Sequence, residues 1–371
     1  MPYAGGGHGG GHGGGHGGGH GGGHGGGHGG GHGGGHGGGH GGGHGAHAGG
    51  PHSPLIAGAL ATQHDGIVGY WEADASDLPT PSSPSKPDEL GYLSGLRRGQ
   101  VIFAEIAPRF RIVEAAEGAE AQVDGKTICK IARPTPAFLK KQMVLVRNYA
   151  DLRADRIPEI SIQTGDILSF FGANAQLNGS RRRATLEVLG LVQDLCVQLE
   201  MLVKHLCWRP RPIDFAPYVQ PVIQTPDHST FPSGHATEAY ALAATLFRLQ
   251  TGKPAAEGIA AKDMWFRVAH RIAVNRTIAG VHFPVDSAAG AVLGAMIADA
   301  AFAVANGGTA SVMHVEKNGV GLLDKDTCDC TQSSLKEAFE AGLPAPETAT
   351  DSLSKSKLFG ALWGRAAKEW E

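Results

Sequence analysis

Apolar residues recur at helical spacing through the middle of the chain. The clearest run lies between Arg181 and about Trp208, where they return every three or four residues. Such a face predicts an amphipathic helix. Its apolar positions are Leu186, Leu189, Val192, Cys196, Leu199 and Val203. The same spacing predicts helices over 136–153, 234–251, 262–278 and 284–306, with a shorter apolar piece over 162–177.

These segments predict an all-α fold, a helical bundle over residues 136–306. Upstream, 101–131 carries alternating β-branched residues around an Asp124-Gly125 turn, which indicates a small β-hairpin before the bundle. The Pro- and Ser-rich stretch before it predicts a linker. We therefore divide the chain into a tail at 1–52, a linker or irregular segment at 53–100, a helical domain at 101–306 and a C-terminal extension at 307–371.

Two further segments are apolar enough to need an explanation. The window from Ala288 to Asn306 is at the low end of membrane-spanning length and contains Asp299, so we expect a buried helix rather than a transmembrane span. Residues 353–370 place an apolar stripe on one helical face, which predicts a helix docked on the body of the protein. Membrane-surface or partner binding is the alternative. The stripe consists of Leu358, Leu362, Trp363, Ala366 and Trp370.

Composition separates an unusual tail from an ordinary globular chain. Of 371 residues, 32 are basic and 35 acidic, and the formal charge of −3 argues against nucleic-acid binding by bulk charge.

Five cysteines do not indicate a disulfide framework. Without a secretory signal at the N-terminus, we expect a cytoplasmic protein. Cys328-Asp329-Cys330 is a weak metal signal, because no second pair lies nearby.

The tail is a Gly-Gly-Gly-His repeat. Residues 1–52 hold 33 of the 58 glycines and 12 of the 19 histidines. Nothing there can bury apolar surface, so we expect disorder. Flexible imidazoles can converge on Zn, Ni or Cu, which predicts a non-catalytic chelating tail. A repeat expansion without a role is the alternative. The chelating residues would be His8, His12, His16, His20, His24, His28, His32, His36, His40 and His44.

Candidate chemistry lies in three short stretches between 204 and 286. The first pairs Lys204 with Arg211, where flanking prolines end a helix and can aim a guanidinium. The second, Pro232-Ser233-Gly234-His235, is typical of a helix start, where backbone N–H groups favour an anion. The third contains Arg276, then a histidine and an aspartate four residues apart.

His282 and Asp286 would share one helical face, so that the carboxylate can orient the imidazole. Two histidines beside three cations suit a tetrahedral oxyanion. The cations would neutralise it, one histidine would attack and the other would carry a proton. Taken singly, each of these residues is more often a solvated charge, a surface or core histidine, or part of a simple ion pair.

Together the three stretches resemble the signature of a known superfamily. It joins type 2 phosphatidic acid phosphatases, bacterial class A acid phosphatases and vanadium-dependent haloperoxidases. The resemblance covers residues 204–286, and Asn275 stands where the family usually has serine before the arginine. The matching residues are Lys204, Arg211-Pro212, Pro232-Ser233-Gly234-His235, Arg276, His282 and Asp286.

The resemblance implies an acid phosphatase/haloperoxidase-type bundle and a role for each residue. His282 would be the nucleophile that forms a phosphohistidine, or the ligand of vanadate; Asp286 would orient it. His235 would be the general acid. No divalent metal would be needed. The oxyanion would be held by Lys204, Arg211, Ser233, Gly234 and Arg276. At Asn275 we expect altered supporting hydrogen bonds rather than loss of activity.

The sequence leaves the reaction open. We place a phosphate-monoester hydrolase first, acting without a cofactor on a small phosphorylated substrate. A vanadium-dependent haloperoxidase, using halide and peroxide, is second, because His228 falls where bromide-oxidising members also carry a histidine. A metal-storage protein working through the tail is third. We expect no transmembrane span, and an oligomer is left open.

Overall fold

The computed structural model describes residues 58–59, 61–63, 87–342 and 349–371. The Gly/His repeat, with its predicted disorder and chelating histidines, lies outside these residues, as does most of the predicted linker. Residues 58–59 and 61–63 are helical, and the Thr62 hydroxyl donates to the carbonyl of Gly58.

The main body is mostly helical. Its helices are α1 (Gly95–Ile106), α2 (Pro136–Tyr149), α3 (Arg153–Gln163), α4 (Leu168–Ala175), α5 (Arg183–Leu206), α6 (Pro212–Phe215), α7 (Gly234–Thr251), α8 (Ala255–Ala260), α9 (Met264–Ile278), α10 (Pro284–Asn306), α11 (Gln332–Ala341) and α12 (Lys357–Lys368). Its strands are β1 (Phe110–Ala115), β2 (Gly118–Val123), β3 (Lys126–Ala132) and β4 (Met313–Val315).

The all-α prediction was wrong in one respect, because a four-stranded sheet accompanies the helices. Its order is β1-β2-β3-β4, with antiparallel pairs between the first three strands and a parallel pair between β3 and β4. The Asp124-Gly125 turn joins β2 to β3, as expected of the hairpin. The strand β4 comes from beyond the bundle, and a three-residue strand carries no pattern of its own in the sequence.

The predicted helices of the bundle are present, with shifted ends. Helix α10 has the predicted bounds, whereas the segment predicted over 136–153 ends at Tyr149 and passes through a short 3-10 turn into α3. Residues 164–167 separate α3 from α4, so the apolar piece at 162–177 is not one helix. Helix α1 begins at Gly95, inside the stretch expected to be irregular.

The core of the body is built around α7 and α10, which pack against each other with α5 and α9 beside them. A Cβ at Gly294 would lie 2.0 Å from the carbonyl oxygen of Thr237, so glycine permits this close approach. In the described part of the chain, α10 is the one helix long and apolar enough to cross a membrane, and 94% of its apolar window is buried. The buried helix expected there is therefore confirmed.

The C-terminal helix α12 docks on the body. It packs against α5 and α10 and buries Phe359, Leu362, Trp363 and Ala366. Just after it, the Glu369 carboxylate accepts the main-chain N–H groups of Ala184 and Thr185 at 2.8 and 2.9 Å, at the start of α5. The end of the chain thus caps the helix whose last turn carries Lys204.

Candidate active site

The three motif stretches come together because each lies at an end of a core helix. Lys204 lies in the last turn of α5, and Arg211 directly precedes α6. Ser233 is the N-cap of α7, as the motif predicted, and Arg276 lies in the last turn of α9. The main-chain N–H of Ser233 donates to the carbonyl of Asp286 at 3.0 Å, which ties the second stretch to the third.

The N-terminus of α7 is shaped for close approach. The Ser233 hydroxyl accepts the N–H of Ala236 at 3.4 Å, and Gly234 begins the helix. A Cβ at Gly234 would lie 2.3 Å from Glu200 Oε1, so a larger residue there would require the Glu200 side chain to shift. The first N–H groups of a helix have no acceptor within it and carry partial positive charge, which favours an anion at this point.

His282 and Asp286 form the predicted pair. His282 Nδ1 lies 3.1 Å from Asp286 Oδ2, and both side chains are buried. The same oxygen accepts the hydroxyl of Thr230 at 2.5 Å and the N–H of Phe283 at 2.8 Å. A carboxylate accepts, so Nδ1 carries the proton and Nε2 holds the lone pair.

Burial and surrounding charge set the protonation of this pair. Burial, together with the charges of Arg211 and Lys204, lowers the pKa of His282 well below its usual range. Burial raises the pKa of Asp286 to about 6, against the hydrogen bonds that lower it. At neutral pH the imidazole is therefore neutral and the carboxylate charged, which leaves Nε2 able to attack an electrophile.

Lys204 and Arg211 are buried cations held by main-chain carbonyls. Lys204 Nζ donates to the carbonyls of Pro232 and Ser229, the latter at 3.3 Å. Burial lowers the pKa of Lys204 to about 8. Arg211 donates to the carbonyls of His228 at 3.0 Å and Val281 at 2.8 Å.

Arg276 is different, because part of its guanidinium is unsatisfied. Only Nη2 donates, to Gln163 Oε1 at 3.0 Å and to the carbonyl of Ile160 at 3.4 Å. Nε and Nη1 have no hydrogen-bond partner among the described residues, although the side chain is 1% exposed. Unpaired buried donors are rare and costly, so these N–H groups mark a place for an acceptor.

His235 faces the end of α3. Its Nε2 lies 2.7 Å from the main-chain oxygen of Gln163. A carbonyl can only accept, so Nε2 carries a proton, and Nδ1 is the nitrogen through which His235 could exchange one with a substrate. Nε2 of His282 and Nδ1 of His235 are therefore the candidate reactive nitrogens.

His228 and Asn275 lie beside the site. His228 Nδ1 lies 3.3 Å from Arg211 Nη2, and burial lowers the pKa of His228 to about 4. Asn275 Nδ2 donates to Glu159 at 3.1 Å and to Gln163 at 3.0 Å. Asn275 therefore supports the elements around the site.

Two buried carboxylates lie at the site but are not part of the motif. Glu200 lies one turn before Lys204, and burial with the nearby charge of Glu238 raises the pKa of Glu200 well above its usual range. Glu238 lies one turn after His235 and accepts from Gln193 Nε2 at 2.8 Å. Helical spacing from the motif residues was the signal that could have found both.

Thr230 and Gln163 were also missed. Thr230 precedes Pro232 by two residues, and no motif marks it. Gln163 comes from α3, 41 residues before Lys204, so no local spacing relates it to the motif.

The weak metal signal at Cys328-Asp329-Cys330 gains no support from the described structure. Cys328 is exposed, whereas Cys330 is buried. Across the ranges 87–342 and 349–371, with the short helical piece before them, no three His, Cys, Asp or Glu side chains group as a metal site requires. The ten histidines of the repeat are outside these ranges.

The arrangement suits a tetrahedral oxyanion. Three buried cations surround a neutral imidazole, since the charges of Arg211, Lys204 and Arg276 all act on the pKa of His282. His235 supplies a second imidazole, which could exchange a proton. Such a site can stabilise charge on a phosphoryl group while a histidine displaces its leaving group.

Comparison with known families finds a match for the segment that carries these residues. The model of the PAP2 superfamily matches residues 185–308, which include every motif residue. The chain therefore contains a PAP2 superfamily domain, a mostly helical fold with this site at its helix ends.

The chain is also similar to the decaprenylphosphoryl-5-phosphoribose phosphatase of Mycobacterium tuberculosis. The identity is 34% over 131 residues, in both strain CDC 1551 / Oshkosh and strain ATCC 25618 / H37Rv. The similarity covers 35% of this chain and 66% of the relative, just under two thirds of its length.

Proposed function

We propose that the PAP2 domain hydrolyses phosphate monoesters through a phosphohistidine at His282, without a divalent metal. The observation that carries this proposal is Arg276, whose buried Nε and Nη1 lack acceptors beside a neutral, carboxylate-oriented imidazole. A phosphoryl group would supply those acceptors.

In the first step, the lone pair of His282 Nε2 attacks phosphorus. The bond from phosphorus to the ester oxygen breaks, its electron pair stays on that oxygen, and His235 donates a proton to it. Asp286 stabilises the positive charge that develops on the phosphorylated ring. The equatorial oxygens are held by Lys204, Arg211, Arg276, Ser233 and the N–H of Gly234.

In the second step, water attacks the phosphohistidine. His235, now neutral, takes a proton from the water, and the bond between phosphorus and Nε2 breaks with its electron pair returning to nitrogen. Phosphate leaves, and both histidines regain their starting states. The cycle therefore consumes water and needs no redox partner.

The substrate is a phosphorylated compound whose ester oxygen can reach His235. The relative's name describes a phosphatase acting on a phosphoribose joined to a decaprenylphosphoryl group. We extend only the phosphate monoester to this chain. The cytoplasmic location stays a prediction.

A vanadium-dependent haloperoxidase is the second candidate, and the contact between His228 and Arg211 is the observation behind it. The residues that hold a phosphoryl group would also hold vanadate, which supplies the peroxide chemistry in that branch. However, with its pKa lowered to about 4, His228 is neutral at pH 7 and adds no positive charge for a halide. This favours the phosphatase.

The Gly/His tail has a separate proposed role in chelating Zn, Ni or Cu. Deleting residues 1–52 should leave the turnover rate unchanged and remove most nickel binding, measured by calorimetry on both forms. A large loss of rate on deletion would instead make the tail part of the site.

A paired assay on one purified batch tests the reaction. One half receives p-nitrophenyl phosphate with and without orthovanadate; the other receives vanadate, bromide, peroxide and a halogen-accepting dye. We expect phosphate release that vanadate inhibits and that His282→Ala lacks. Dye bromination that depends on vanadate, with little phosphate release, would overturn the phosphatase in favour of the haloperoxidase.

A further inference from the structure

Helix α3 presents one face to α9 and the site. Arg156, Glu159, Ile160 and Gln163 follow helical spacing along it, and all four contact either Asn275 or Arg276. Gln163 is the last residue of α3 and is 1% exposed. It precedes the matched PAP2 segment, which begins at residue 185.

Two donors fix the orientation of the Gln163 side chain. Asn275 Nδ2 and Arg276 Nη2 each donate to Gln163 Oε1 at 3.0 Å. An amide flip would set N–H groups against these donors, so the oxygen must face them. The Nε2 of Gln163 has no hydrogen-bond partner within the described structure.

The unpartnered donors therefore belong to two bonded side chains. Gln163 Nε2, Arg276 Nε and Arg276 Nη1 are all buried, and no acceptor among the described residues reaches them. Buried amide and guanidinium donors are normally satisfied, so an acceptor group bound beside these two side chains would account for all three. A phosphoryl group, with three oxygens, has enough acceptors for them.

Gln163 also contacts His235, the proposed general acid. Its main-chain oxygen accepts His235 Nε2 at 2.7 Å. Gln163, His235 and Glu238 line one small cavity. One residue of α3 thus touches both the arginine that would bind the phosphoryl group and the histidine that would protonate the leaving group.

We propose that Gln163 is a substrate-binding residue of this site, whose side-chain amide N–H donates to a phosphoryl oxygen beside Arg276. Its two oxygens position Arg276 and His235 at the same time. The inference rests on the proposed phosphatase function. It also gives Asn275 a purpose, because that side chain helps to aim the amide.

Gln163→Glu keeps the positioning acceptor and removes the binding donor. A carboxylate still accepts from Asn275 and Arg276, but it replaces the N–H donor with a negative oxygen. If Nε2 meets the phosphoryl group, kcat/KM for p-nitrophenyl phosphate should fall about 100-fold, and binding of inorganic phosphate by calorimetry should be lost. Gln142→Glu is the matched control, since Gln142 is equally buried but bonded at both ends to main-chain groups.

Wild-type-like kcat/KM and phosphate binding in Gln163→Glu would overturn the inference. If that variant does not fold, the proposal can be tested by NMR on the wild-type protein, through the side-chain amide resonance of Gln163. It should shift on titration with orthovanadate while that of Gln142 stays, and an unmoved Gln163 resonance would refute the proposal. An inactive wild-type protein that also binds no phosphate would instead count against the proposed function.

Discussion

The two arginines of the site are equally buried, yet they differ in how they are bonded. Arg211 is 3% exposed and Arg276 is 1% exposed. The guanidinium of Arg211 is bonded on all three nitrogens to the loop segments around it, whereas Arg276 uses one nitrogen and leaves two without acceptors in the described structure. The acceptors for Arg211 are the carbonyls of His228, Ser229 and Val281.

The different bonding indicates different roles for the two arginines. Arg211 supplies charge and also holds together the loops that carry the motif, so part of its value is structural. If the proposed function is right, a bound anion supplies the acceptors for Nε and Nη1 of Arg276, and we expect Arg276 to contribute less than Arg211 to holding the fold. Substitutions on the side of the site next to α3 should therefore weaken anion binding most.

The largest effect should come from His282, the proposed nucleophile. Replacing His282 by alanine removes the attacking nitrogen, and turnover should fall by at least about 10,000-fold. Steady-state hydrolysis of p-nitrophenyl phosphate measures it. Retained activity would mean that the arginines serve some other chemistry.

Replacing either arginine should give the next largest effect, and the two variants together test whether Arg211 and Arg276 have different roles. Arg276→Ala should lower kcat/KM by about 100- to 1,000-fold with little change in thermal stability. Arg211→Ala should lose activity and also destabilise the fold by about 2 kcal/mol, because it removes several buried charged hydrogen bonds.

Arg271→Ala is the control on the same helix as Arg276, since it removes only a half-exposed ion pair with Glu159 and should change kcat/KM little. If Arg276→Ala destabilised the protein as much as Arg211→Ala, the distinction between the two arginines would fail.

The dependence of kcat/KM on pH should reflect the titration of both Asp286 and Lys204. Below pH about 6, Asp286 gains a proton and no longer stabilises the His282 ring, so kcat/KM falls. Above pH about 8, Lys204 loses its proton, and kcat/KM falls again. A profile from pH 4.5 to 10 should therefore be bell-shaped.

Lys204→Arg keeps the charge at high pH, so it should move the alkaline limb upward and leave the acid limb in place. An alkaline limb that did not move would exclude Lys204 as its cause.

The smallest effect should come from Asn275→Ser, which restores the residue usual in the family. A serine hydroxyl can donate to Glu159 or to Gln163, but not to both, so one hydrogen bond of about 1 kcal/mol is lost. We expect kcat/KM to fall about fivefold. A gain in activity would show that the amide does not support Gln163.

The motif and the periodic helices were predictable because their signals are local. Ser233 at a helix start and the four-residue spacing of His282 and Asp286 follow from helix geometry alone, and the structure has both. The bounds of α10 were likewise visible, since a run this apolar must be buried along its whole length.

What could not be predicted depends on contacts between distant parts of the chain. Gln163 meets Arg276 only because α3 packs on α9, and β4 joins the sheet across the whole bundle. Neither contact leaves a periodic trace in the sequence. Thr230 likewise reaches Asp286 through the fold of its loop.

The most direct test of the account is to trap the covalent intermediate. With p-nitrophenyl phosphate the leaving group needs no proton, so His235→Asn should still form the phosphohistidine but hydrolyse it slowly. Rapid quench and mass spectrometry at alkaline pH should then find phosphate on His282, and none in a His235→Asn/His282→Ala double variant. Phosphate on another residue, or continued turnover by the double variant, would contradict the account.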